Sequence, residues 1–353
     1  MSLFVNIKKE YEDFELDVSF ESNKKRIGIL GASGCGKSMT LKSIAGLVKP
    51  DRGRIVFDDR IFFDTVKRIN IKPGKRDVGY MFQDHALFPN MTVEGNINAA
   101  LKVNEKKKPE AGKVNSKDSK RALDSIIDDF ELREVRRHYP AELSQGQKQR
   151  CALARMFATD PKMVLLDEPF SSMDAFLKEG LRLELMRFLD EYDKTVILVS
   201  HDRDEIYQMC DHLILMDKGR IIDSGSTREL FIHPKSKTGA RLTGCKNISR
   251  IERIDDHRIK ALDWQGIELI TAQKVGEDHR YAGIRAHDFI SGKEGVNVIT
   301  CKKASISRLP FEWYVTFDNG LWWKLPKELS ENNSALSVPE YISVVPEKII
   351  LMK

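Results

Sequence analysis

Apolar and polar side chains alternate over the first twenty positions: Leu3, Val5 and Ile7, then Phe14, Leu16, Val18 and Phe20. Residues two apart share one face of a strand, so the spacing predicts two antiparallel strands joined by a turn that holds Tyr11. The alternation then gives way to short apolar runs. Ile27-Gly28-Ile29-Leu30, Val78 to Phe82, Met163-Val164-Leu165-Leu166 and Thr195 to Ser200 read as strands buried on both faces. Arg54 to Asp58 is a shorter strand after the turn Pro50-Asp51-Arg52-Gly53. A helical pattern runs from Val93 to about Asp160, an amphipathic helix spans Leu177 to Leu189, and Leu213 to Ile222 reads as a hairpin turning at Lys218-Gly219.

The pattern changes near Pro234-Lys235-Ser236-Lys237-Thr238-Gly239. Short alternating segments follow: 248–254, 257–262, 267–270, 283–285, 296–307, 313–317, 321–325 and 342–345. They predict a small barrel-like β domain. At 353 residues the chain exceeds one ordinary core, so the reading is two domains, 1–235 and 236–353, with a helical subdomain at about 84–162. No short-period repeat marks the first of them.

Composition narrows this little. Hydrophobic content of 41% with 31% charged is ordinary for a globular protein, and a net charge of +5 is not a nucleic-acid signature. Seven lysines lie between Lys102 and Lys120, beside Pro109 and Gly112. They read first as a solvated loop between helices and second as a polyanion patch, which interleaved aromatics would have favoured. No run reaches eighteen apolar residues, and the first fourteen positions lack a signal peptide's apolar core. The five cysteines are scattered without a C-x-x-C and read as free thiols of a reducing compartment. Work at a membrane would then pass through a partner.

The chemistry gathers at the ends of the apolar runs. Gly31-Ala32-Ser33-Gly34-Cys35-Gly36-Lys37-Ser38 follows a strand and opens a helix at Met39, the G-x-x-x-x-G-K-[ST] phosphate loop in its confirming context. Its glycines let backbone N–H groups wrap a phosphate, Lys37 can reach the β- and γ-phosphates, and the Ser38 hydroxyl can ligate Mg²⁺. The Met163 to Leu166 strand ends in Asp167-Glu168-Pro169, where Asp167 would hold the metal and Glu168 could orient or deprotonate water. His201 follows another strand and faces the same crevice. Tyr11 either stacks on a purine or is an ordinary half-buried hairpin tyrosine.

Taken in order, the P-loop, Gln83, Leu143-Ser144-Gln145-Gly146-Gln147, Leu165 to Pro169, Ser171-Ser172-Met173-Asp174 and Ser200-His201 resemble the ATP-binding-cassette ATPases over about residues 1–235. The stretch Tyr80 to Val93 resembles the Q-loop of the bacterial uptake type, and Ala282 to Asp288 resembles the oligonucleotide-binding-like (MOP/TOBE) accessory domain of molybdate, sulfate, maltose and polyamine importers. Lys75 to Asp84 with Leu87-Phe88-Pro89 is most similar to the molybdate ATPases. The expected fold is α/β: a RecA-like P-loop core with antiparallel and helical subdomains, then a small all-β, OB-like domain.

The resemblance implies a homodimer clamping two ATP molecules, each between one copy's P-loop and the other's Ser144, Gln145, Gly146 and Gln147. It gives Glu168 the role of general base, His201 that of γ-phosphate holder, and Gln83 that of γ-phosphate and metal sensor; Asp174 shapes the dimer contact. Gln83 to Pro89 would meet an integral membrane permease, served indirectly by an extracytoplasmic substrate-binding protein, which places the chain peripherally on the cytoplasmic face. An oxyanion at the C-terminal domain would be feedback; Lys302, Lys303, Ser305, Ser307 and Arg308 read either as its donors or as a solvated strand end. Gln145 stands where the family's commonest signature has Gly, and Met173 where Leu is commoner. Rival readings are a non-transport cassette ATPase, an exporter-type ATPase and a non-catalytic nucleotide-binding regulator. Sulfate/thiosulfate, tungstate, polyamine and sugar are the alternative cargoes.

Overall fold

A computed structural model describes residues 2–82, 84–107, 116–171, 175–302, 304–310, 312–326 and 339–353. The chain divides into two compact units, 1–227 and 228–353. The boundary expected at 235 lies in the linker-like stretch Pro234 to Gly239, inside the second of these units. There the Arg285 guanidinium binds on either side of that stretch, donating to the carbonyls of Thr243 (2.8 Å) and Phe231.

In the first unit the strands are β1 (Leu3–Glu10), β2 (Glu15–Ser22), β3 (Arg26–Gly31), β4 (Arg52–Phe57), β5 (Arg60–Asp64), β6 (Ile69–Asn70), β7 (Val78–Met81), β8 (Met163–Asp167), β9 (Thr195–Ser200), β10 (His212–Asp217) and β11 (Arg220–Ser226). They form one sheet in the order β6-β5-β4-β1-β2-β11-β10-β3-β9-β8-β7. The two hydrophobic textures of the sequence correspond to its two halves. Alternating β1 and β2 are antiparallel, while β7, β8, β9, β3 and β10 are parallel. Every residue of β8 and β9 is buried. The helices are α1 (Lys37–Ala45), α2 (Val93–Lys107), α3 (Ser116–Asp129), α4 (Gln145–Phe157), α5 (Ala175–Glu191) and α6 (Arg203–Met209). Three of them, α2 to α4, lie between β7 and β8 in the chain. The lysine-rich segment read as a loop is helical up to Lys107 and again from Ser116; residues 108–115 lie outside the described ones.

Leu41 and Ile44 of α1 join a single core with Val5, Leu16 and Ile55 from the antiparallel strands and Ile29, Leu165 and Val199 from the parallel ones. Each buried side chain of this size contributes about 1.5–3 kcal/mol, so the P-loop helix is anchored on both halves of the sheet. Its C-terminal end is closed by Arg76, 1% exposed. The guanidinium donates to the carbonyls of Ser43 (2.9 Å), Ile44 (2.7 Å) and Ile71 (2.8 Å) and to Asn70 Oδ1 (3.1 Å). A cation at a helix C-terminus satisfies orphan carbonyls and complements the helix dipole. Burial pulls its pKa down to about 10.

Helix α7 (Thr227–Ile232) starts on the last residue of the first unit and runs into the second, where α8 (Lys237–Leu242) follows. Its strands are β12 (Asn247–Arg253), β13 (Arg258–Ala261), β14 (Ile267–Ile270), β15 (Tyr281–Ile284), β16 (Ile290–Ser291), β17 (Asn297–Thr300), β18 (Ala304–Arg308), β19 (Glu312–Phe317), β20 (Trp322–Pro326), β21 (Tyr341–Val344) and β22 (Ile350–Met352). They make three sheets, β14-β13-β12-β15-β22, β16-β21-β17 and β18-β19-β20, around one core that includes Trp264, Phe289, Val315 and Trp323. The run 296–307 read as one strand is two. Buried Asn247 and Asn297 join the sheets by imitating backbone pairing. Asn247 bonds the Ile284 and Trp322 carbonyls and the Trp322 N–H; Asn297 bonds both backbone groups of Ile270.

Candidate functional site

The loop from Gly31 to Ser38 leaves β3 at the C-terminal end of the parallel strands, where α/β sheets place ligands. Two glycines there are irreplaceable for different reasons. A Cβ on Gly31 would sit 2.4 Å from the Met216 carbonyl, and Gly36 caps α1 at φ 101°, a left-handed value that L side chains rarely adopt. The loop is closed on itself: buried Lys37 donates from Nζ to the carbonyls of Gly31 (2.8 Å) and Ala32 (3.0 Å). Beside it lies a cavity of about 510 Å³ lined by Tyr11, Phe14, Ser33, Lys37, Met39 and Glu168, among others.

Asp167 ends β8, 6% exposed. Ser38 Oγ donates to its Oδ1 and the Tyr80 hydroxyl to its Oδ2, each at 2.7 Å. Glu168 then takes φ 48° and donates its N–H to the Val199 carbonyl of β9 at 3.0 Å. That turn swings its carboxylate between Lys37 Nζ (3.9 Å to Oε1) and His201 Nδ1 (3.3 Å to Oε2). The P-loop lysine and serine, both acids and the histidine thus converge from three strand ends. All five are candidates named from the sequence. Tyr80 is not among them; its phenol is pushed well above its ordinary pKa by burial and by the bond to Asp167. The signal available was a lone hydroxyl in an otherwise apolar strand.

Tyr11 lies at the cavity mouth, 40% exposed, with its hydroxyl 2.8 Å from Met39 Sδ and its ring 6.4 Å from that of Phe14. Both earlier readings of it fit this place. Ser144 caps α4 in a reciprocal box: Gln147 N–H donates to Ser144 Oγ (3.3 Å) and Ser144 N–H to Gln147 Oε1 (2.9 Å). Gln145 is the first residue of α4, exposed, where a side chain fits without strain. None of Ser144, Gln145, Gly146 and Gln147 lines the cavity of their own chain. Gln83 and Asp174 lie outside the described residues, as do Ser172, Met173 and Lys303.

The ABC transporter family model matches residues 15–171. The sulfate/thiosulfate import ATP-binding protein CysA of Nocardia farcinica is 33% identical over 322 residues, 90% of this chain and 88% of its own. The chain belongs to the ABC transporter ATPase family. The corresponding protein of Mesorhizobium japonicum is 38% identical over 235 residues, 65% of this ABC ATPase and 65% of its own length, so that match covers just under two thirds of the relative. A dimeric post-hydrolysis structure of the ATP-binding cassette MJ0796 bound to ADP and Pi superposes with TM-score 0.54 at 26% identity, over 65% of this chain and 99% of that one. The two CysA relatives are named for sulfate and thiosulfate. The finer assignment to molybdate, drawn from residues 75–89, gains no support from them.

Proposed function

We propose that this chain is the ATP-hydrolysing subunit of an importer, working as a pair of copies on a membrane permease, with an oxyanion as cargo. One observation carries the reading: Lys37, Ser38 and Glu168 line one cavity, with Asp167 bonded to Ser38 and His201 beside Glu168, although these residues come from distant segments of the chain. Ser38 Oγ and Asp167 Oδ1 are hard oxygen donors of the type Mg²⁺ takes alongside phosphate oxygens, so the donor set fits that ion. Bound there, Mg²⁺ would neutralise charge developing on the transferred phosphoryl oxygens. Lys37 Nζ turns from the Gly31 and Ala32 carbonyls to the β- and γ-phosphates. Glu168 accepts a proton from water at a carboxylate oxygen while His201 holds the γ-phosphate.

The dimer reading rests on Ser144 and Gly146. They sit at the start of a 13-residue helix, a natural phosphate site, yet do not line the cavity beside their own P-loop. The permease reading rests on Asp84 to Pro89. A groove of about 380 Å³ lies between β7, α2 and α4, with Met81, Phe88, Val103 and Met156 on its walls. Phe88 is 48% exposed with Arg155 stacked 4.9 Å from its ring centre, an apolar surface that a loop does not need for itself. Among the described residues no helix is long and apolar enough to cross a membrane, so transport would require that partner.

Sulfate or thiosulfate is favoured as cargo over molybdate because a relative so named matches across 90% of this chain, beyond the first unit. The test has two arms. Purified protein should release phosphate from Mg-ATP, with Glu168→Gln at least about tenfold slower while still binding nucleotide; equal turnover removes Glu168 from the chemistry. Cells expressing the chain together with a sulfate permease and its binding protein should accumulate labelled sulfate; uptake of molybdate alone would reverse the cargo order.

A further inference from the structure

His201 is held in an unusual way for a group so close to the reacting centre. Its side chain is 56% exposed and its one described polar contact is Glu168 Oε2 at 3.3 Å. Packing does not fix it, so its position is set by the backbone on either side. That backbone is pinned from Ser200, whose Oγ donates to Glu205 Oε2 at 2.5 Å and accepts the Asp202 N–H at 2.9 Å. Glu205 lies on α6 and is 3% exposed. A buried carboxylate persists as an anion only when it is paired. The pairing cation is Lys178 on α5, with Nζ 2.7 Å from Glu205 Oε1 and 2.6 Å from Asp202 Oδ2. Asp202 also caps α6, its side chain accepting the Asp204 N–H at 2.9 Å.

We infer that Lys178 is a positioning residue for His201, so that α5 sets how His201 approaches Glu168. The inference rests on the ATPase reading above and adds to it a residue that does not line the nucleotide cavity. Without the ammonium, Glu205 is a buried carboxylate that has lost this counter-ion, and turning it toward solvent rearranges its bond to Ser200 and releases the segment that carries His201. Glu168 itself stays fixed by its own N–H bond to Val199, so the distance between the two groups changes while the nucleotide cavity does not. Burial pushes the Asp202 carboxyl pKa up, but the Lys178 ammonium and the backbone N–H groups of Asp204 and Glu205 together hold it below its ordinary value.

The experiment compares Lys178→Met, Lys178→Arg and Asp202→Asn, with Lys25→Ala as a control that removes an exposed ion pair to Asp193. Misplacing a group by a fraction of an ångström lowers the chemical step without touching ground-state binding. Lys178→Met is therefore expected to lose about tenfold or more in kcat with KM for ATP changed less than about twofold, and Lys178→Arg to recover most of the loss. Asparagine is as good an N-cap as aspartate, so Asp202→Asn keeps α6 and should show the same split in weaker form even where Lys178→Met folds poorly. A matching rise in KM, an unchanged kcat in Lys178→Met and Asp202→Asn, or an arginine variant no better than the methionine one overturns the inference. Should wild-type protein release no phosphate, the ATPase reading falls on its own. The inference is then judged by the His201 imidazole resonances of nucleotide-free protein, which must shift in Lys178→Met and return in Lys178→Arg; identical spectra refute it.

Discussion

Changing Tyr80 to Phe deletes one oxygen atom beside the paired acids and nothing else. The lost bond, 2.7 Å to Asp167 Oδ2, has an ionised acceptor on a 6% exposed residue, the circumstance in which a hydrogen bond is worth most. Such bonds contribute about 1.5–3 kcal/mol. Taking about 2 kcal/mol, a unit of this size should melt about 4–8 °C lower. The pH dependence makes the test sharper. The native phenol is held above its ordinary pKa of 10.0 by burial and by Asp167. In the unfolded chain it releases its proton near the ordinary value, so the stability it contributes is complete below about pH 10 and is lost as pH rises beyond it. At about pH 10.5 the gap between wild type and Tyr80→Phe should narrow by about 0.8 kcal/mol. Calorimetric melts of the two proteins at about pH 7.5 and about pH 10.5 read both quantities. No gap at the lower pH, or an unchanged gap at the higher one, refutes the reasoning.

Other expectations follow from the same geometry. Arg76→Met strands the carbonyls of Ser43, Ile44 and Ile71 in the interior; at about 1–3 kcal/mol per unmet acceptor it should destabilise the first unit by at least about 3 kcal/mol in denaturant titration, and a change below about 1 kcal/mol would show water has replaced the cap. Gly36→Ala forces a side chain at φ 101° into Leu16 Cδ1, 2.7 Å away; nucleotide affinity measured by a fluorescent analogue should collapse, and retained binding would mean the loop tolerates another shape. Leu87→Asp should abolish uptake with phosphate release by the isolated protein intact, whereas normal transport would remove Asp84 to Pro89 from the permease contact.

What the sequence disclosed was whatever lies close together along the chain. The P-loop is eight consecutive residues, and its strand and helix adjoin it. The acids at 167 and 168 and His201 were legible because each follows an apolar strand. Long-range pairings were not. Tyr80 meets Asp167 because β7 and β8 are parallel neighbours, and no local pattern encodes which of several all-apolar strands pair. The burial of Arg76 was not legible either, since two of its four acceptors come from α1, thirty-odd positions upstream. β16 and β22, two and three residues long, are too short for alternation to reveal. The boundary expected at 235 and the division of the compact units after 227 differ because a stretch with linker composition, Pro234 to Gly239, lies inside the second unit.

The five thiols of this chain are all buried, and burial raises their pKa values, to about 11 for Cys245 and Cys301 and about 12 for Cys151. At about pH 8 a thiol with a pKa of 11 is ionised in only about one molecule in a thousand, and the thiolate is the reactive form. To a maleimide reagent, therefore, the folded wild-type chain is close to blank. A single cysteine placed at Phe88 or Ser144 would be labelled alone, with no native residue removed first, so a dye could follow either surface as a second copy or a permease arrives.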